Sequence, residues 1–183
     1  MDNDKIREIV KKEAEEEDWK YHILIVEKYA KILADKLGAD KEIVELAVLL
    51  HDIGRIKFSN KDHDITGSKE AEKILREEGY PEDIIKKVKH CIETHRASKD
   101  KKPETLEAEI IANADAMSHF DSLPLLIYWR GKNKKGFEES IKWLEDKLDR
   151  DWNKKITISE AREMCKEKYK TSQKILKWIK ENK

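Results

Sequence analysis

The stretch Glu45-Leu46-Ala47-Val48-Leu49-Leu50-His51-Asp52 runs from apolar residues straight into an adjacent imidazole and carboxylate. It is apolar on every side, so it reads as a buried helix whose last turn takes His51 and Asp52 inside. A carboxylate there is costly unless it is paired, hydrogen-bonded or bound to a metal. Neutral imidazole nitrogen together with carboxylate oxygen suits divalent transition ions. The dipeptide alone decides nothing, because His63-Asp64 repeats it inside the charged stretch Asn60-Lys61-Asp62-His63-Asp64, a polar loop by composition. A hydrogen-bonded core pair is the plain alternative at His51-Asp52, and further donors have to choose between the two.

Helical periodicity supplies those donors. Residues 4–16 read as a charged helix. Residues 20–37 form the next, stopped by Gly38. His22, Val26, Tyr29 and Leu33 share one stripe of it, so His22 turns inward; a lone histidine there is also a common hydrogen-bonded core residue. Asp40 can cap the buried helix, which is expected to break near Gly54. Arg55, Lys57 and Lys61 follow, as surface charge or as phosphate contacts. His63, Gly67, Ala71 and Ile74 line a helix over 62–78. Gly67 inside it is about 1 kcal/mol less favourable than Ala, which a close backbone approach would offset.

Gly79-Tyr80-Pro81 separates that helix from one over 81–96. Ile84, Ile85, Val88, Cys91, Ile92 and His95 share its inner face, and His90 falls nearly opposite. A basic loop over 97–102 leads to a helix over 104–120, opened by Pro103. Asp115 is the one acid in its apolar segment Ile110-Ile111-Ala112-Asn113-Ala114-Asp115-Ala116-Met117. Residues 122–129 make a further apolar helix or turn, and 131–136 a loop. Two amphipathic helices are expected over 137–152 and 158–183, with Thr157 and Glu160 as a capping box for the second. Ile175, Leu176, Trp178 and Ile179 read as packing residues that cover the core or form a homodimer contact.

Composition limits the function classes. The 183 residues suit one domain, and 39 cations against 39 acids argue against a general nucleic-acid binder. No run of about 18 apolar residues exists, so no membrane span is expected. The charged N-terminus lacks an apolar leader, which points to the cytoplasm. Cys91 and Cys165 imply no disulfide framework. Few glycines, few prolines and few alternating β-branched runs imply an almost entirely helical chain.

In chain order the donors are His22, His51-Asp52, His63, His95 and Asp115, on five predicted helices. The motifs around them are Tyr21-His22, Leu49-Leu50-His51-Asp52-Ile53-Gly54-Arg55, His63-x-x-x-Gly67, His90-x-x-x-x-His95, and Pro103-x-Thr105-x-Glu107-Ala108 leading to Ala114-Asp115-Ala116. As a set they resemble the HD-domain metal-dependent phosphohydrolase superfamily over about residues 20–120. The resemblance implies an all-α, HD-domain-like bundle of five or more helices. The whole chain would be one such domain, with a C-terminal helical extension at about 137–183. It implies His22, His51, Asp52 and Asp115 as metal ligands, with His51 and Asp52 central to catalysis. His63, His95 or His90 would serve a second ion, with Asp52 the bridge, although the helical wheel turns His90 away.

One or two divalent ions are implied (Mn, Fe, Ni, Zn, Co or Mg). The implied activity is hydrolysis of a phosphomonoester or phosphodiester by metal-activated water, on a small phosphorylated molecule of the nucleotide class. Arg55, Lys57, Arg96 or Lys99 would contact the phosphate. No glycine-rich phosphate loop is present, so a P-loop enzyme is excluded. No Cys or Ser has a clear His partner for covalent catalysis. A nucleotide- or metal-binding sensor without turnover and a di-iron oxygenase remain open on the same fold.

Overall fold

The apolar run that ends in His51-Asp52 is the hub of the molecule. The computed structural model describes residues 3–96 and 101–182, and every regular element among them is helical. Helices α1 (Asn3–Glu13) and α2 (Glu16–Asp18) lead into a first π turn, Trp19–Ile23, which continues as α3 (Leu24–Leu37). The hub is α4 (Lys41–Leu50), followed by α5 (Ile53–Lys57), α6 (His63–Glu77) and α7 (Glu82–Thr94). Then come α8 (Leu106–Asp121), α9 (Leu123–Lys132), α10 (Phe137–Arg150), a second π turn, Asp151–Lys155, and α11 (Ser159–Glu181). No helix among the described residues is long and apolar enough to cross a membrane.

Local chemistry sets the boundaries of α4. Gly38 adopts the left-handed conformation (φ +74°) that ends α3 and costs a side chain most. Two residues on, Asp40 accepts from the Glu42 and Ile43 amides at 3.1 and 3.3 Å and caps α4. Every residue from Ile43 to Leu50 except Glu45 is buried, and α4 packs against α1, α3, α7 and α8. From Ala108 to Phe120 α8 is buried on all sides apart from Glu109, and its small residues let α3 and α7 lie close.

The break after α4 differs from expectation. It falls at His51-Asp52, and Gly54 is helical within α5. Gly54 serves contact instead. A Cβ there would lie 2.3 Å from the His63 carbonyl oxygen and 2.5 Å from the Gly67 amide nitrogen. The two glycines thus mark where α5 crosses α6, and this close approach accounts for Gly67 inside a helix. The second His-Asp pair is buried in the first turn of α6 rather than in a polar loop.

The C-terminal elements are tied to the core through α8. Asn113 accepts from the Thr157 and Ile158 amides at 2.9 and 3.1 Å. The capping box expected at Thr157 and Glu160 does not form: the Thr157 hydroxyl donates to Glu109 across to α8. Helix α8 starts at Leu106, capped by Thr105, rather than at Glu104. Leu176 is buried as expected, but Ile175 and Trp178 are exposed. Most of the loop expected over 97–102, Lys99 included, lies outside the described residues.

Candidate metal centre

Four imidazoles converge with their tautomers fixed by their neighbours. The Nδ1 atoms of His51, His63 and His95 lie 2.7, 3.0 and 2.6 Å from the carbonyl oxygens of Val48, Asn60 and Ile92. A carbonyl only accepts, so each Nδ1 holds the proton and each Nε2 is bare. Ser118 donates its hydroxyl to the Asp115 carbonyl at 2.7 Å, so its oxygen accepts from His22 Nδ1 at 3.2 Å. His22 Nε2 is therefore bare as well. These bare nitrogens meet in pairs, His22 with His51 at 3.1 Å and His63 with His95 at 3.2 Å.

Facing lone pairs repel unless a cation lies between them. Protons do not supply it at neutral pH, because burial pulls His22 down to about 4 and His95 to about 3. Carboxylate oxygens complete the donor set. Asp52 Oδ2 is 3.1 Å from His22 Nε2 and 3.6 Å from His51 Nε2. Its other oxygen, Oδ1, is 3.4 Å from His63 Nε2 and 3.9 Å from His95 Nε2. Each oxygen of Asp52 thus faces a different imidazole pair. Neutral imidazoles around a bridging carboxylate fit one or two divalent ions.

Donor atoms within 4.8 Å of one another form three buried triplets among the described residues: His22, His51 and Asp52; Asp52, His63 and His95; and His22, Asp115 and His119. Asp115 therefore sides with His119 rather than with His51 and Asp52. The reason is Lys155, whose buried ammonium holds Asp115 Oδ2 at 2.6 Å while Oδ1 faces His22 at 3.6 Å. His90 stays apart, as its helical phase implies: it is half-buried and its Nε2 accepts from the Glu104 amide at 3.0 Å.

The phosphate candidates are differently employed. Arg55 Nε and Nη1 donate to Asp52 and Asp18, both at 2.9 Å, and its guanidinium lies 4.7 Å from the Trp129 ring centroid. Lys57 pairs with Glu70 at 2.6 Å and does not line the cavity. Arg96 donates to Asp64 at 3.2 Å and does line it. Burial alone would raise the Asp52 and Asp115 carboxyls. Arg55 and the histidines outweigh it for Asp52, Lys155 and the histidines for Asp115, and both are held well below the usual carboxylate range.

Several site residues escaped sequence reasoning. His119, four residues after Asp115 on the inward face of α8, was readable from that spacing. Asp18, Lys147, Asp151 and Lys155 lie in highly charged segments and gave no such signal. His22 sits on one π turn and Asp151 and Lys155 on the other, and such turns recur at functional sites. The cavity over the centre measures about 930 Å³. Beside the metal-centre residues, Arg130, Lys147, Arg150, Trp129 and Trp143 from the C-terminal elements line it.

Comparison with known proteins places this geometry. A Picrophilus torridus protein named tRNA (cytidine(56)-2'-O)-methyltransferase is 32% identical over 165 residues, covering 80% of this chain and 46% of that one. Ribonuclease Y of Alkaliphilus metalliredigens is 35% identical over 99 residues, covering 53% of this chain and 19% of that one. The chain thus spans less than half the length of these relatives. The crystal structure of an HD-superfamily hydrolase from Bacillus thuringiensis superposes with a TM-score of 0.69 at 21% identity, over 95% of this chain and 90% of that one, and shows the shared fold. The family model for the HD domain matches residues 19–119, from the first π turn to His119 and more than half of the chain. The chain belongs to the HD domain family.

Proposed function

We propose that this protein is a metal-dependent phosphohydrolase acting on a phosphate ester of a nucleotide. The observation that supports it most is the pairing of bare imidazole nitrogens on both oxygens of Asp52. One ion would take His22 and Asp115, beside His51 and Asp52, and a second would take Asp52, His63 and His95. A divalent ion at such a site supplies Lewis acidity toward a phosphoryl oxygen and acidifies water. Arg55 orients Asp52 from behind and, with Trp129 stacked on it, closes that side of the site.

Charge supports an anionic substrate. The carboxylates of Asp18, Asp52, Asp115 and Asp151 face the cations of Arg55, Lys147 and Lys155, a formal excess of one negative charge. Two divalent ions would reverse this to three positive charges, a field that attracts phosphate. A cavity of about 930 Å³ accommodates a nucleotide rather than phosphate alone. Its two indoles, with Arg130 5.1 Å and Lys147 6.0 Å from the Trp143 centroid, suit base stacking beside a charged backbone. The two relatives named above are, by name, proteins that act on RNA. We place the protein in the cytoplasm, and exposed Ile175 and Trp178 on α11 suit a homodimer contact.

The test is hydrolysis of p-nitrophenyl phosphate, bis-p-nitrophenyl phosphate and nucleotide mono- and diesters by protein loaded in turn with Mn, Co, Ni, Zn, Fe and Mg. Turnover should fall at least a hundredfold in Asp52→Asn and His51→Gln. Metal-loaded protein that binds nucleotides without turnover would make it a sensor. Undiminished activity in the variants would assign the hydrolysis to a contaminant.

A further inference from the structure

We infer that His119 is a metal ligand, joining His22 and Asp115 around the ion those two hold. The inference rests on the metal-centre reading above and adds to it a donor at the last residue of the family match.

Asp115 and His119 stand four residues apart on α8 and so project from one face as a potential chelate. His119 Nε2 lies 3.5 Å from Asp115 Oδ1, the oxygen that also faces His22. The His119 and His22 rings stack at 5.7 Å and 10°. His119 Nδ1 donates to Asp151 Oδ2 at 2.8 Å, so its Nε2, like those of the other site histidines, is the bare nitrogen. Among the described residues Asp115 shares a donor triplet with no other histidine but His22, so an ion that uses Asp115 lies on the His119 side of His22.

The support behind His119 distinguishes it. His51, His63 and His95 anchor Nδ1 on main-chain carbonyls and His22 on a hydroxyl, whereas His119 has a carboxylate. Carboxylate–histidine–metal is a recurrent arrangement, because the anion fixes the ring and raises the basicity of the ligating nitrogen. Asp151 is itself held by Lys147 at 3.4 Å. The plain alternative is an ion pair between protonated His119 and Asp115. Asp115 already has the Lys155 ammonium as its counter-ion at 2.6 Å, whereas His119 Nε2 stands off at 3.5 Å.

Metal-free protein is titrated with Co²⁺ and followed by calorimetry and visible absorption, with no substrate present. His119→Gln should weaken one class of Co²⁺ binding at least tenfold and alter its visible spectrum, leaving the other class in place. Asp151→Asn, which can still accept from Nδ1 without the charge, should weaken the same class by less. His119→Cys should introduce a sulfur-to-cobalt charge-transfer band, a direct signature of ligation that remains readable if the Gln variant folds poorly. Co²⁺ affinities within twofold of wild type in His119→Gln, together with no such band in His119→Cys, would overturn the inference and leave the proposed function standing. Wild-type protein that takes up no Co²⁺ would overturn both.

Discussion

Replacing Gly54 by alanine probes the spacing on which the centre depends. The added Cβ would stand 2.3 Å from the His63 carbonyl oxygen, 2.5 Å from the Gly67 nitrogen and 2.7 Å from Thr66 Oγ1. The first two are main-chain atoms and cannot rotate away, so restoring ordinary contact requires α5 and α6 to part by about 1 Å. Overpacking of this kind costs about 1–3 kcal/mol, and rigid obstacles place it at the upper end. The helix propensity of alanine returns at most about 1 kcal/mol. A net loss of about 2 kcal/mol lowers the melting temperature of a chain of this size by about 4–8 °C. Asp52 precedes α5 and His63 opens α6, so the same displacement lengthens the 3.4 Å approach of Asp52 Oδ1 to His63 Nε2. Circular-dichroism melts of metal-free protein read the stability, and metal titration reads the site. Gly67→Ala is the internal comparison, since its Cβ would meet the Gly54 nitrogen at 3.2 Å and need only a few tenths of an ångström. A Gly54→Ala melt within 1 °C of wild type, taking about 1 °C as the reproducibility of such a melt, or a Gly67→Ala variant worse than Gly54→Ala, would refute the reasoning.

Other perturbations read the electrostatics. Lys155→Met leaves the buried Asp115 oxygen without its ammonium and should destabilise metal-free protein by about 3–5 kcal/mol, and by less once divalent ions are bound. Urea unfolding with and without Mn²⁺ measures the difference. Acid should also destabilise metal-free protein, because native His22 and His95 refuse protons that the unfolded imidazoles accept below about 6.5. The slope is up to about 1.4 kcal/mol per pH unit per imidazole between that value and the native ones, and protonation of Asp52 and Asp115 acts in the same direction at lower pH. A melting temperature that stays level from pH 7 to pH 5 would contradict it. Chelation should lower the melting temperature of loaded protein, since one ion at a hundredfold its Kd contributes about 2.7 kcal/mol.

The helical order and the inward histidines were legible because each depends on local rules. The αL glycine at 38, the aspartate cap at 40 and the stripe through His63 are all written within a few residues. The phase of α7 alone separates His95 from His90, and their hydrogen bonds agree with it. Gly54 misled because a glycine after an apolar run signals a break equally well whether it ends a helix or lets another backbone approach. Lys155 and Asp151 were hidden for another reason. In a sequence with 43% charged residues, one more Lys or Asp reads as surface, and a π turn shifts the phase that a regular helical wheel assumes. Asn113, which holds the segment after that turn against α8, forms contacts spanning 44 and 45 residues that no local pattern encodes.

The second π turn has a practical consequence for anyone who borrows this scaffold. A graft cut at residue 119 would transplant Asp115 and His119 but leave behind the ammonium at 155 and the carboxylate at 151 that balance them. The recipient would inherit a naked anion and a loosened imidazole in an otherwise intact helix. The smallest transferable unit therefore extends at least through Ile158, where the chain is pinned back onto Asn113.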